Sequence, residues 1–543
     1  MEQNTKRKLL STIGFGLLFV LVFGIVLVLM ISSDERWYGY LILAACAGFL
    51  ITLRRMKLWH GWRVPLYWIL ALVIVWSGLY AGQPSMNIQP YTAMNLEQPS
   101  VPYQLLLNHV TIVDTQNGQL TSNMSILTKD GTIIDIAPAG SIKTGEDTKI
   151  VEATGKYAVP GYLNMHMHVL GDEKTPEVMS LLLANGVTGF RQMSGSADQL
   201  KEWRAGAYTS STEEPALLAM PGDVLTPINA PTPKVAVEFV REQQKEGAGF
   251  IKAGAVTPEV FDAVQAEANK LNLAFVGHVL PDLDLKEASK NGFYSVEHFG
   301  INNGALISTS TDENNLRAEA TGLPSITSNP VFVQFMKIKG VRDFVNEQVV
   351  KLAIETSGGK EDSAVLQHLI DTYSEEKAIQ LAGVFVENNT WQTPTLVRMH
   401  LGLFSNDSDP TIAQGLYDLY LKLAKTYDSK GVKMMVGTDE GGGVNWRNAG
   451  NSIHQEFDEL EKAGISPLHV LQMATLNGAE FLGRLDDMGT VEAGKNADLV
   501  ILDANPLESV QNLHKIDAVI RAGSYHGQEE LNSIKKNERP SDN

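Results

Sequence analysis

The hydrophobic and polar positions divide the chain into regimes. From Leu9 to Ile31 it is apolar and uncharged for long enough to cross a bilayer, and shorter apolar runs follow at 37–53 and 64–81. These runs predict two or three transmembrane helices within an anchor over 1–82. Residues 83–103 are rich in Pro, Asn, Gln and Ser and read as a linker. From Gln104 apolar and polar residues alternate over short stretches, and Asp130-Gly131 marks a tight hairpin turn. The same alternation returns near the C-terminus in "GTVEAGKNADLVILDANP" and "KIDAVIRAG". Together 104–158 and 487–525 predict β units at the two ends, and 526–543 reads as a polar tail.

Between them, over 159–486, a short apolar strand followed by a helical pattern recurs. The strands end near His168, Gln192, Met220, Lys252, His278, His298, Leu396 and Thr438. Such repetition predicts an α/β fold of parallel strands closed into a (β/α)8 TIM barrel. The spacing breaks between His298 and Trp391, where 300–390 is polar and largely helical. An insertion there sits over the C-terminal mouth, as a lid or substrate-selecting cap on one reading and as a scaffold or partner surface on the other.

Charge adds a topology. Lys6, Arg7 and Lys8 precede the first apolar run, and Arg54, Arg55, Lys57 and Arg63 lie between the second and third. The excess of basic residues marks the cytoplasmic side, so the expectation is a multi-pass protein of the cytoplasmic membrane with everything after Ala81 outside. The runs carry almost no internal charge, which argues for plain anchoring in the lipid bilayer. The net charge of −18 speaks against a nucleic-acid partner. Cys46 is the only cysteine, which excludes disulfides and cysteine-based zinc sites.

The first barrel strand carries "GYLNMHMHV". Residues two apart on a strand share a face, so His166 and His168 project together. Alone, such a pair reads as well as satisfied core histidines. Lys252, His278, His298 and Asp439 stand at other strand ends, however, and in a barrel these ends converge on one pocket. Four imidazoles, an amine and a carboxylate gathered there point to a metal site. With no thiolate available, His and carboxylate donors suit zinc, with manganese, nickel or cobalt as the other choices.

Several segments, "VPGYLNMHMH", "NGVTGFR", "GAGFIKAGA", "VEHFG", "GTDEGGG", "LEKAGISPLHVLQMATLNGAEFLG" and "GTVEAGKNADLVILDANP", resemble the amidohydrolase superfamily, in its imidazolonepropionase- and prolidase-like branch. The resemblance spans about 104–523 and implies that a β-sandwich composed of both ends flanks the barrel. It further implies two divalent ions, one on His166 and His168 and one on His278 and His298. Asp439 would ligate the first ion and take a proton from the attacking water, and a carboxylated Lys252 would bridge both. The chemistry of the amine agrees, because an ammonium would be repelled by two cations and a neutral amine offers one lone pair. The neighbours Phe250, Ile251, Ala253 and Gly254 offer no partner for a buried amine.

The implied activity is hydrolysis of a C–N bond, amide, peptide-like or cyclic amide, in a small molecule or short peptide. A lactonase or phosphotriesterase on the same metals and a non-catalytic ligand-binding protein are the rivals. Arg191, followed by Gln192 where the family often has an acid, is a candidate substrate-carboxylate binder or loop holder. His454, where Ser452 and Gln455 suggest a capping box, is a second substrate-facing candidate, with a surface helix position as its alternative. Tyr208 and His400 are candidates by position. After the third strand, "PGDVLTPINAPTPKVAV" replaces the Gly-Gly-His segment of many relatives, so substrate selection differs. Homo-oligomers are common among relatives, but no feature of the chain specifies one.

Overall fold

A computed structural model of the protein describes residues 104–537, apart from 172–174, 209–210, 320–341, 343–344, 347–362, 405–408 and 442–449. The three N-terminal apolar runs and the linker therefore lie outside the described residues. Among those described, no helix is long and apolar enough to cross a membrane.

Five strands open the described chain: β1 (Gln104–Val113), β2 (Leu120–Lys129), β3 (Thr132–Pro138), β4 (Thr148–Glu152) and β5 (Tyr157–Pro160). The β2–β3 turn is the expected Asp130-Gly131 pair, both residues with positive φ. There follow β6 (Tyr162–His168), β7 (Val187–Gln192), β8 (Ala216–Ala219), β9 (Ile251–Ala253), β10 (Phe275–Gly277), β11 (Ser295–Glu297), β12 (Trp391–Thr393) and β13 (Glu440–Gly441). They form two parallel four-stranded sheets, β13-β6-β7-β8 and β9-β10-β11-β12.

Backbone bonds join these sheets at both seams. At one, Leu225 N donates to Lys252 O at 3.0 Å and Gly254 N to Leu225 O at 2.9 Å. At the other, Met435 N donates to Gln392 O at 2.9 Å and Met165 N to Val436 O at 2.8 Å. The parallel strands thus curl round as in a TIM-barrel-like domain.

Helices between the strands start and stop where their sequences dictate. Helix Pro233–Glu246 begins at Thr232, whose hydroxyl accepts from Val235 N, and ends at Gly247 with φ 91°. Its neighbour Pro258–Lys270 brings Phe261 against Phe275 and Phe293, with ring centroids 4.9 and 5.0 Å away. This aromatic cluster ties one helix to β10 and to the segment that leads into β11.

The end strands β14 (Leu499–Leu502), β15 (Ile516–Arg521) and β16 (Ser524–Gly527) return to the first ones. The result is one eight-stranded sheet, β16-β15-β14-β5-β1-β2-β3, with β4 also paired to β1. Its apolar layer holds Leu105, Leu107, Ile126, Ile133, Leu499, Ile501 and Ile520. Residues 526–543, expected to be a polar tail, instead contribute part of β16 and helix Gln528–Asn537, which packs against helix Thr175–Ala184. Leu531 supplies the reason: it is an apolar residue that the core buries. Leu396, expected to end a strand, opens helix Leu396–Leu403, because Thr395 turns the chain with φ 53°.

Candidate active site

The site is built where β6, β9, β10, β11 and the approach to β13 end. His166 and His168 project together, as period-two alternation requires, with ring centroids 5.3 Å apart. Both turn Nε2 to one carboxylate oxygen: Asp439 Oδ1 lies 3.4 Å from His166 and 3.3 Å from His168. The three donor atoms all fall within 4.8 Å of one another. Across the pocket the His298 ring is 4.3 Å from that of His166 and 5.4 Å from that of His278. His298 Nε2 approaches Asp439 Oδ2 at 3.9 Å. Lys252 points from β9, fully buried, with no hydrogen-bond partner for its amine.

Burial governs the protonation of these groups. It pushes the Lys252 amine down to about 8, with the carboxylates of Glu297 and Asp439 pulling the other way. It holds His278 and His298 well below the usual imidazole range, so both present lone pairs at neutral pH. Burial would raise Asp439, but His298, His166 and His168 outweigh it and keep the carboxyl ionised, well below its ordinary value.

The strand ends are turned by unusual backbone. His298, Phe299 and Asp439 have φ of 57°, 56° and 52°, left-handed values that residues with a Cβ adopt at a cost. Gly441 follows with φ 128°, and a Cβ there would stand 2.1 Å from His168 O. Such packing brings the Asp439 strand against the histidine strand.

Arg191, a candidate substrate-carboxylate binder or loop holder, is fully buried. Its Nη2 donates to Glu297 Oε1 at 2.9 Å and its Nε to Met165 O at 2.5 Å, while the guanidinium stacks 4.8 Å from the Phe481 ring. His454 is neither at the mouth nor on the surface. It is buried against Tyr162, Phe457 and His514, and Tyr162 opens β6 at the end opposite His168. The capping box is absent as well: Ser452 is the first helical residue and its hydroxyl donates to Glu440. Tyr208 donates to Glu202 at 2.6 Å, and His400 pairs with Glu459 at 2.9 Å.

Four residues at or behind the site were not singled out from the sequence. Glu297 accepts from His166 Nδ1 at 2.7 Å. An ionised carboxylate only accepts, so a proton is fixed on Nδ1 and Nε2 is turned to Asp439 and the pocket. Burial would raise Glu297, but Arg191 and His166 hold it well below the ordinary carboxylate range. Glu297 was legible as the acid next to His298. The second is Arg398, on helix Leu396–Leu403, whose Nε is 3.5 Å from Asp439 Oδ2. The third, Glu440, is buried, pushed up to about 7, and accepts from Gly450 N at 2.7 Å. The fourth, Glu456, accepts from Val397 N at 2.8 Å.

Of the insertion, helices Gly304–Thr309, Glu313–Glu319, Ser363–Thr372 and Glu375–Glu387 are described, and most of 320–362 lies outside the described residues. Asn346 is buried within it and donates to Val224 O, in the loop after β8, at 3.3 Å.

The donor set suits a divalent cation. His166 Nε2, His298 Nδ1 and Lys252 Nζ are buried polar atoms with no hydrogen-bond partner, which a folded chain leaves only for a reason. Imidazoles beside an ionised carboxylate are zinc-type ligands.

Residues 157–525, well over half of the chain, match the amidohydrolase family. Guanine deaminase of Escherichia coli is 22% identical over 401 residues, 70% of this chain and 81% of that enzyme. Imidazolonepropionase of Shouchella clausii is 32% identical over 108 residues, 18% of this chain, and the match spans 23% of that enzyme's length. Among solved structures, a putative prolidase from Bifidobacterium longum covers 81% of this chain and 99% of its own, at 20% identity and a TM-score of 0.55. An Xaa-Pro dipeptidase with bound methionine covers 78% and 100%, at 19% identity and a TM-score of 0.53. These two likenesses speak for the fold. The family match over 157–525 shows that this chain belongs to the amidohydrolase family.

Proposed function

We propose that the chain is a membrane-anchored, metal-dependent hydrolase of C–N bonds in small amides, short peptides or cyclic amides. The observation that carries this reading is the meeting of His166, His168 and Asp439, three ligand atoms within 4.8 Å, with His166 Nε2 otherwise unpartnered. Family membership and the deaminase, imidazolonepropionase and prolidase relatives support the reaction class.

His166, His168 and Asp439 would hold one divalent ion, zinc before manganese, nickel or cobalt. His278 and His298 would hold a second, and Lys252, carboxylated on its amine, would bridge them. Bound there, the ions supply acidification of a water and polarisation of the scissile carbonyl. Asp439 takes the proton of the attacking water on a carboxylate oxygen and delivers it to the leaving nitrogen. Glu297 keeps the His166 proton on Nδ1, and Arg191 keeps Glu297 ionised. The neutral fraction of Lys252, raised by burial, supports carboxylation, because only a free amine captures CO2.

In this reading 1–82 anchors the chain with spans at 9–31, 37–53 and 64–81, and 83–103 leads to an extracytoplasmic catalytic part. That part is a (β/α)8 barrel over 159–486 beside a composite β-sandwich of 104–158 and 487–525. Charge and hydropathy of the N-terminal residues support it.

The test is metal per chain, by elemental analysis of detergent-purified protein grown with zinc and bicarbonate, followed by a panel of amides, lactones and phosphotriesters. About two ions, fewer in Lys252→Ala, together with amide turnover is the expected result. Turnover of lactones or phosphotriesters alone would move the reaction class, and protein that holds no metal after reconstitution would end the hydrolase reading.

A further inference from the structure

The metal ligands explain how a bond is attacked and leave open which bond. A specificity group should stand beside the reacting centre, on a rigid support, with a chemistry of its own. Arg398 meets these conditions. Its Nε lies 3.5 Å from Asp439 Oδ2, the oxygen on the far side from the two histidines that face Oδ1. The side chain is largely buried, 11% exposed, beside an Asp439 side chain that is 13% exposed.

The support is unusually specific. Thr395, with φ 53°, swings the chain from β12 directly into helix Leu396–Leu403, which places Arg398 at the C-terminal mouth of the strands. Glu456, wholly buried, accepts from Val397 N at 2.8 Å and fastens the first turn of that helix. One turn further along helix Ser452–Lys462, which carries Glu456, Glu459 holds His400 at 2.9 Å and also accepts from the Tyr417 hydroxyl. Two buried glutamates, at 456 and 459, therefore fix the short helix on both sides of Arg398. Burying polar groups is costly, and here the result is a guanidinium held in one place.

A guanidinium is always charged and offers planar paired donors that match a carboxylate. We propose that Arg398 selects the substrate by binding a carboxylate next to the scissile C–N bond, so that the enzyme acts on N-acyl amino acids or short peptides with a free C-terminus. This rests on the hydrolase reading above. A substrate carboxylate at Arg398 would place its neighbouring amide beside Asp439, the group that moves the proton.

The experiment uses the full chain loaded with zinc. N-acetyl-L-amino acids are compared with their methylamides, and dipeptides with their C-terminal amides, for wild type, Arg398→Ala and Arg398→Lys. Calorimetry compares the product-like pair alanine and alaninamide, and metal content is measured in each variant. The expected result is a preference of wild type for the free acid of about 10- to 100-fold, the worth of a charge-assisted contact, carried mainly by KM. Arg398→Ala loses the preference with metal content unchanged, and Arg398→Lys keeps part of it.

Equal treatment of acid and amide by wild type, or a preference that survives in Arg398→Ala, overturns the inference and leaves the hydrolase reading standing. If no amide is cleaved, yet alanine binds better than alaninamide only when Arg398 is present, the hydrolase reading falls and the carboxylate site stands. If neither cleavage nor selective binding occurs, both fall.

Discussion

Glu297 accepts the Nδ1 proton of His166 at 2.7 Å, one residue before His298 enters the same pocket from the opposite wall. One carboxylate thus orients a ligand on β6 from a position on β11. Orienting partners of this kind typically cost 10- to 100-fold in metal affinity when removed. Glu297→Gln should therefore weaken zinc binding by about that factor, read by competition against a chelator of known affinity, while a direct ligand change such as His166→Ala should cost more.

Arg191 is the counter-charge of Glu297, with both side chains fully buried and 2.9 Å between Nη2 and Oε1. Breaking a buried pair from one side leaves an unpaired charge. Arg191→Ala should destabilise the fold by about 3–5 kcal/mol in denaturant titration, and Arg191→Ala with Glu297→Ala by less than the sum of the two single changes.

Gly441 permits the closest approach in the site. An alanine there would meet His168 O at 2.1 Å and would have to hold φ 128°. Gly441→Ala should cost about 2–4 kcal/mol and reduce metal content together with stability. Retention of full metal content at unchanged Tm would show that the strand ends adjust more freely than this packing implies.

Glu456 carries a pH signature. Burial pushes its carboxyl up to about 8, and the backbone N–H groups at Val397, Leu396 and Thr395 only partly oppose this. The folded chain then binds a proton that the unfolded chain has released above its own carboxylate pKa. Stability from this group is present at acidic pH and is lost as pH rises towards about 8. Glu456→Gln, which mimics the protonated form, should flatten the fall in Tm between pH 5 and pH 8 relative to wild type. Parallel pH profiles in the two proteins would contradict the assignment.

The parts of the site that were legible in the sequence are those that alternation and strand ends specify. His166 and His168 share a face because two residues of strand separate them, and Lys252, His278, His298 and Asp439 stand at or just beyond strand ends. The residues that were missed depend on backbone turns that alternation does not report. Regular pleating would send Glu297 and His298 to opposite faces, yet the left-handed φ of 57° at His298 lets both serve one pocket. Thr395 does the same for Arg398. Arg191 and His454 were legible as unusual residues but misplaced, because a charged or aromatic side chain near a strand end or helix start also serves burial. Their partners, Glu297 and His514, lie 106 and 60 positions away respectively, and only the fold brings them close.

The sheet that joins the two ends sets an order of events during synthesis. β5 is flanked by β1 and by β14, and the pairing of Leu499 with Pro160 cannot form until more than three hundred intervening residues have emerged. Until then one edge of β5 is an open template, exposed to adventitious pairing with other strands. Contacts of such long sequence separation slow folding. A ribosome that stalls before Leu499 would release a barrel with its flank unsealed, a species that chaperones and proteases can distinguish from the finished enzyme.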